Sequence, residues 1–266
     1  MRRPGSPATR GRRSPCAART RPRRRPSASW RAPCAGGWTS SPSSSRCRRS
    51  GDRGRGDAVP PLTLPIFPLP DVTFFPHTML PLHVFEARYR AMITDALARD
   101  RKLAVVRLKA GFEASYAGKP AVHAVAGAGE IVSWERLATG RYNILVKGEW
   151  RVRIESERPS DTLYRIVTAQ QLDDIEPTTD ASASLARIHD LCGRLLRALD
   201  RPADLLDTAL AADQRPGVIA DRIAAAVVPD PDLRQELLET RDVMRRLDRL
   251  GGALEDLVKQ LREGRE

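Results

Sequence analysis

Residues 64–92, LPIFPLPDVTFFPHTMLPLHVFEARYRAM, change character part-way along and decide the first part of the fold. Prolines interrupt the apolar runs up to residue 82. Because proline has no N–H to give to a sheet, these runs are predicted to be short edge strands joined by fixed turns. From residue 84 onward the apolar side chains recur at helical spacing. The stretch therefore predicts edge strands followed by one amphipathic helix over roughly 84–99.

Apolar segments typical of β-strands follow this helix at 102–109, 121–137 and 162–174. Between the last two, apolar and polar residues alternate on both sides of Lys147-Gly148, which predicts a hairpin centred on that pair. The first part of the chain is therefore expected to be a mostly antiparallel sheet or barrel with one inserted helix.

Beyond Pro177 the apolar period changes from two to 3.6. Helices are predicted over 185–199, with Ser182 or Ser184 as N-cap, over 202–212, over 218–228, and from the Pro-Asp-Pro-Asp turn at 229–232 onward. Gly251-Gly252 is expected to bend or break the last of these. Cys192 lies on an apolar stripe, which predicts a core residue whose thiol pKa is raised. Two parts result, a β-rich part over 59–177 and a helical part over 178–266.

The charge of the chain is unevenly distributed. Residues 1–58 contain sixteen arginines, two aspartates and no Leu, Ile, Val, Phe or Tyr, so this segment has little to bury and is predicted to be disordered. The net charge of this segment is +14. Because the net charge of the whole chain is +12, residues 59–266 carry a net charge of −2. The basic overall composition therefore does not indicate a nucleic-acid partner for the rest of the chain, and nucleic acid is expected only through the basic segment.

Three interpretations of residues 1–58 remain open. In the first, the start codon is assigned too far upstream and the protein begins at Val59. In the second, the segment is an organelle transit peptide, and in the third it is an arginine-rich arm that contacts phosphates. No run of eighteen apolar residues is present, so no membrane span is predicted. Three of the four cysteines precede Val59 at spacings that match no zinc pattern, which favours a reducing compartment. The expected location is the cytoplasm, or an organelle if the segment is a transit peptide.

No motif for catalysis is found. The sequence has no phosphate-binding loop, no HExxH, no GxSxG and no paired CxxC, and its four histidines are far apart. No catalytic residue, metal or cofactor is therefore predicted. Glu86, Arg88 and Tyr89 form a polar group at the start of the first helix, which is either a ligand-facing set or a helix-start carboxylate with a local ion pair.

Residues 64–92, together with GAGEIVSWERLATGRYNILVKGEWRVRI (127–154) and RIAAAVVPDPDLRQELLETRDVMRRLDRL (222–250), resemble the N-terminal, substrate-binding domain of Lon proteases. The resemblance implies an α+β fold, a PUA-like antiparallel β-barrel with one inserted helix followed by a C-terminal α-helical bundle. Ala87 stands where the family usually has proline, which leaves the helix start open. The ATPase and Ser-Lys peptidase domains of Lon have no counterpart in this sequence, so the resemblance implies a stand-alone, non-catalytic protein.

The resemblance also implies a module that binds protein or peptide clients and presents them to an ATP-dependent protease or chaperone. The candidate partner-binding surface is drawn from 82–89 and 130–141, expected near the junction of the two parts, and comprises His83, Phe85, Glu86, Arg88, Tyr89, Trp134 and Arg141. The alternative is a PUA-like RNA-binding protein that uses a basic patch of Arg136, Arg141, Lys147, Arg151 and Arg153. In that alternative Arg151 and Arg153 share a solvent-facing side of the hairpin, but the charge of −2 argues against it. A small-molecule regulator follows only by analogy with a eukaryotic relative whose zinc-domain cysteines are missing here.

Overall fold

The computed structural model describes residues 60–113, 116, 118–199 and 215–263, which belong to one compact unit, Gly54–Glu266. The predictions for residues 1–58 and for a helix over 202–212 lie outside the described residues. The strands are β1 (Leu62–Leu69), β2 (Met79–Val84), β3 (Lys102–Arg107), β4 (Val125–Arg136), β5 (Tyr142–Arg158) and β6 (Ile166–Leu172). The helices are α1 (Ala87–Leu97), α2 (Ser182–Ala198), α3 (Pro216–Val227), α4 (Pro231–Glu239) and α5 (Val243–Glu263).

All six strands form one sheet in the order β2-β5-β4-β3-β1-β6, and β5 also pairs with β6. The pairings β1–β3–β4–β5–β6–β1 therefore form a closed circuit, with β2 beside β5. One pairing, β1 with β3, is parallel and the other five are antiparallel, which agrees with the expectation of a mostly antiparallel sheet. The connection between these two strands contains β2 and α1, which is long enough for a parallel crossover. The mixed α+β class is confirmed, and the PUA-like barrel stays a prediction.

The hairpin predicted at Lys147-Gly148 is wrong, because β5 runs without a break through that pair. The turn between β4 and β5 lies at 137–141, where Gly140 has a φ of 75° and the Leu137 N–H donates to the Arg141 carbonyl at 2.9 Å. A Cβ on Gly148 would lie 2.2 Å from the carbonyl oxygen of Phe75, so this glycine allows another backbone segment to cross the strand. A register shift in the pairing with β4 lies beside this glycine, between Ala128 and Gly129.

The sheet and the helices share buried side chains. Helix α1 buries Tyr89, Met92, Ile93 and Ala96 in a cluster with apolar residues of β1, β3 and β5. The C-terminal helices form a second cluster that also takes in Phe75, Val125 and Leu172 from the β-rich part. Cys192 belongs to that cluster, and burial raises the pKa of its thiol to about 11, which confirms the prediction for this residue.

Two helix boundaries differ from the predictions. Helix α2 begins at Ser182 with Ala181 as its N-cap, so neither serine is the N-cap; Asp180 accepts the Ser182 N–H at 3.0 Å. The last predicted helix is two helices, and the break lies at 240–242 rather than at Gly251-Gly252. The break occurs because the Ile175 N–H donates to the Arg241 carbonyl at 3.0 Å, which draws the chain into a short parallel bridge. None of the helices in the described ranges combines the length and hydropathy needed to cross a membrane.

Candidate functional site

A compact polar cluster lies at the start of α1. Glu86 is the N-cap residue of this helix, and its carboxylate accepts from Arg88 Nε at 2.9 Å and from the Tyr116 hydroxyl at 3.0 Å. The Arg88 guanidinium carbon lies 4.6 Å from the ring centroid of Tyr89 and 5.2 Å from that of Tyr116. The local ion pair predicted for this position is therefore present, and Tyr116 joins it across 30 residues of sequence.

A cavity of about 160 Å³ opens beside this cluster. Its walls come from β1, the segment around Tyr116 and Pro120, and the connection between β5 and β6. Arg165 spans one wall, where its Nη1 donates to the Pro120 carbonyl at 2.8 Å and its Nη2 pairs with Glu157. The charged residues of the lining are Arg88, Lys119, Glu157, Arg158 and Arg165.

Three tyrosines line this cavity, Tyr89, Tyr116 and Tyr164, and all three have raised pKa values. Burial raises the pKa of Tyr89 to about 12. Burial and the hydrogen bond to Glu86 also raise the pKa of Tyr116. All three phenols therefore remain protonated at neutral pH, and the Tyr116 hydroxyl remains the donor to Glu86.

A second feature is the solvent-facing side of the edge strand β2, which we call the β2 face (Met79, Pro81, His83, Phe85 and Leu145). Pro81 and His83 lie opposite Leu145 and Asn143 of β5, whereas the neighbouring Ile144 is buried. Met79 and Phe85 are 51% and 59% exposed. His83 Nδ1 lies 2.7 Å from Asn143 Oδ1, and the Phe85 ring stacks on the His83 ring at 6.3 Å. The face therefore presents apolar side chains next to an ordered polar pair.

Trp134 and Arg141 lie elsewhere. Trp134 is opposite Ile144 in the β4–β5 register and therefore lies on the other side of the sheet, with the Arg101 guanidinium 4.8 Å from its ring centroid. Arg141 is exposed in the turn before β5. The seven residues predicted as a surface are thus divided among the β2 face, the start of α1, the opposite side of the sheet and a turn. Their partner-binding role stays a prediction.

The junction between sheet and helices is held by a buried ionic cluster, defined here as Arg151, Asp174, Asp221 and Arg246. Arg151 pairs with Asp221 and, at 2.9 Å, with Asp174; Arg246 pairs with Asp221 at 2.5 Å and with Asp174 at 2.8 Å. Burial raises the pKa of Asp221, and the guanidiniums of Arg151 and Arg246 oppose that rise. The exposure of Arg151 is 3%, so its predicted place on a solvent-facing basic patch is wrong.

A cleft of about 370 Å³ lies at this junction, next to Arg151 and Asp174. Neither 82–89 nor 130–141 contributes to its lining, so the expectation that these segments surround the junction is wrong. The reason is the length of β4: its first residue, Val125, accepts a hydrogen bond from Gln235 of α4 at 3.0 Å, whereas Trp134 lies towards the other end of the strand. Over the described ranges, no three His, Cys, Asp or Glu side chains are grouped so that they could hold a metal ion.

Several of these residues were not singled out from the sequence. Tyr116 and Arg165 lie in connections with no periodic pattern, so nothing local marks them. Asp221 did carry a signal, because it stands three residues after Val218 and three before Ala224, on the stripe of α3 that is buried. A charged residue on such a stripe requires a buried partner.

The fold and these contacts define a sheet-and-helix domain with an exposed apolar strand face and a basic cavity. The chain belongs to the family of the ATP-dependent protease La (LON) substrate-binding domain, whose model matches residues 63–256. The resemblance seen in the sequence is therefore confirmed.

The relatives are long proteases. The chain is 24% identical over 205 residues to a Lon protease of Desulfosudis oleivorans, covering 77% of this chain and 25% of that protein. It is 27% identical over 220 residues to Lon protease 1 of Syntrophobacter fumaroxidans, covering 80% of this chain and 26% of that protein. The chain thus spans about a quarter of the length of these curated relatives.

Solved structures with the same fold include the N-terminal domain of a Mycobacterium avium complex Lon protease, with a TM-score of 0.60 and 22% identity over 73% of this chain and 99% of that one. A Lon N-terminal domain protein from Xanthomonas campestris matches with a TM-score of 0.52 and 20% identity, over 71% of this chain and 96% of that one. At these identities the likeness concerns the fold alone.

Proposed function

We propose that this protein is a non-catalytic module that binds exposed segments of protein clients and brings them to an ATP-dependent protease or chaperone. The observation that carries the proposal is the β2 face, where Met79 on the edge strand and Phe85 directly after it are more than half exposed. The membership of the Lon substrate-binding family supports the same conclusion. The extension from binding to delivery rests on the protease relatives, of which this chain matches only a quarter.

The β2 face is suited to weak binding of apolar segments. Covering a large apolar side chain completely is worth about 1.5–3 kcal/mol, so covering the exposed halves of Met79 and Phe85 supplies only part of that for each. Pro81 has no N–H, which interrupts the row of donors that a client strand would need for edge-to-edge pairing. Contacts are therefore expected through side chains, which suits clients of varied sequence.

The experiment is a titration of the full chain against a fluorescent reporter that is permanently unfolded because it is reduced and carboxymethylated. The double variant Met79→Ser/Phe85→Ser is expected to bind the reporter about tenfold more weakly, since it removes about 1.4 kcal/mol or more of apolar contact. The matched control is Leu199→Ser, which removes a side chain of similar exposure, 51%, from the end of α2. Equal affinities for the double variant and the unchanged chain would contradict the proposal.

Delivery to a partner is tested separately by a cross-linked pull-down with the full chain, treated with nuclease and followed by mass spectrometry. Recovery of an ATP-dependent protease or chaperone together with clients is the expected result. Recovery of ribosomal or tRNA-processing proteins that is lost on nuclease treatment would instead favour RNA binding. One residue of the basic patch on which RNA binding depends, Arg151, is buried against Asp221.

A further inference from the structure

The cavity beside α1 carries an excess of positive charge. Its lining contains the cations Arg88, Lys119, Arg158 and Arg165 and one carboxylate, Glu157. Counting Glu86, which pairs with Arg88 from outside the lining, four cations face two carboxylates. Positive charge in a partly enclosed space with low-dielectric walls concentrates the electrostatic potential and attracts an anion.

A donor for that anion remains available at the cavity. The Lys119 ammonium lies 3.8 Å from Glu157, longer than a hydrogen bond, and its side chain is 75% exposed. The Nε–H of Arg165 is buried and is not accessible to a ligand in the cavity. The guanidinium itself is fixed by Pro120 and Glu157, so its charge is held at the wall of the cavity without reorganisation.

The size and the walls of the cavity restrict the ligand. A volume of about 160 Å³ is close to that of an engineered cavity of about 150 Å³ that holds one benzene molecule. The apolar part of the lining includes Pro68 and the exposed Leu163, which suit an apolar group. The space therefore accepts one apolar side chain with an attached anion, and it is too small for a nucleotide.

We propose that this cavity binds the free C-terminal carboxylate of a polypeptide, with the terminal apolar side chain in the space beside Pro68 and Leu163. The Lys119 ammonium binds the carboxylate, and Arg158 and Arg165 contribute to the positive potential at the mouth. The proposal rests on the proposed function, because it names the feature by which one class of client is recognised. It concerns a different surface from the β2 face.

The first test titrates the full chain with a labelled ten-residue unfolded peptide that ends in leucine, either as the free acid or as the C-terminal amide. The two peptides differ in one negative charge at the group in question. The free acid is expected to bind about tenfold more tightly, and N-acetyl-leucine is expected to displace it where N-acetyl-leucinamide does not. Equal binding of the acid and amide peptides, or displacement by inorganic phosphate at lower concentration than by N-acetyl-leucine, would overturn the proposal.

The second test uses variants. Lys119→Glu reverses an exposed charge that makes no short structural contact, so the protein is expected to fold and to lose the preference for the acid peptide. Lys259→Glu reverses an equally exposed lysine, 73%, on α5 and is expected to keep that preference. A preference that survives in Lys119→Glu would overturn the assignment to this cavity. Failure here leaves the binding of the unfolded reporter to the β2 face intact, so the two proposals fail separately.

Discussion

Replacing Asp221 by asparagine removes one charge from the buried ionic cluster with little change in volume. In the unchanged protein, Arg151 and Arg246 face Asp221 and Asp174 in an alternating ring that sums to zero charge. After the substitution two guanidiniums, 3% and 0% exposed, share one carboxylate. Removing one partner from a buried ion pair costs about 3–5 kcal/mol, because it leaves an uncompensated buried charge.

That loss is large compared with the whole stability of a domain, which is about 5–15 kcal/mol. We expect Asp221→Asn to lower the free energy of unfolding of the full chain by about 3–5 kcal/mol. The measurement is urea denaturation followed by far-ultraviolet circular dichroism, which reports on the helices, and by tryptophan fluorescence, which reports on the sheet through Trp134 and Trp150. Coincidence of the two transitions would establish that one free energy describes both.

The charge argument is separated from a packing argument by a second substitution. Arg246→Met in the Asp221→Asn background removes the second cation and leaves Arg151 paired with Asp174. The double variant is therefore expected to be more stable than Asp221→Asn alone. The exposed pair of Glu236 and Arg249, with side chains about half exposed, is the control: Glu236→Gln is expected to cost under about 1 kcal/mol. A loss below 1 kcal/mol for Asp221→Asn, or a double variant less stable than the single one, would refute the reasoning.

Three further results are expected. Gly148→Ala should destabilise the protein by about 1–3 kcal/mol or more in urea denaturation, because its Cβ would lie 2.2 Å from the Phe75 carbonyl oxygen. The control Gly252→Ala, with no atom within 4 Å of its Cβ, should instead stabilise α5 by up to about 1 kcal/mol. Cys192 should be alkylated about fiftyfold more slowly at pH 9 in the folded than in the unfolded chain, because a pKa of about 11 leaves roughly one thiol in a hundred ionised. Peptide mass spectrometry measures the two rates, and equal rates would contradict the burial of this residue. Tyr89 should remain unionised at pH 11 in a spectrophotometric titration, because burial favours the neutral phenol and its folded pKa is about 12. The stability that this raised pKa confers is present below pH 10 and is lost as the pH rises through 12.

The sequence predicted local structure well wherever one period held over a whole element. Helix α1 lies where the helical spacing of its apolar residues predicts it, and strand β3 lies where the run of apolar β-formers predicts it. Prediction failed where a distant segment decides the local geometry. The sequence pattern predicts a turn at Gly148. The structure instead requires glycine there because the backbone of Phe75, 73 residues earlier in the chain, passes directly over β5 at this position. The break before α5 likewise depends on Ile175, which no pattern near residue 241 reveals.

The candidate site follows the same division. Glu86 and Arg88 are two residues apart, and their ion pair was expected from the sequence. Tyr116 and Arg165, which complete the walls of the cavity, approach only because the β3–β4 and β5–β6 connections meet. Arg151 was assigned to a solvent-facing side by alternation. The bulge beside Gly148 shifts that alternation, and the shift turns Arg151 toward Asp221.

Strand β5 contributes both to the β2 face, which is proposed to bind clients, and to the buried ionic cluster, which holds the β-rich and helical parts together. Its first residues, including Asn143 and Leu145, border the β2 face, and Arg151 anchors the helices. Eight residues separate Asn143 from Arg151, which at about 3.3 Å per residue is roughly 26 Å of strand. Substitutions that far apart with no shared partner act additively. The stability of the sheet–helix junction and the affinity of the β2 face are therefore separable properties of this protein, and a variant of the ionic cluster that stays folded should bind the unfolded reporter as tightly as the unchanged chain.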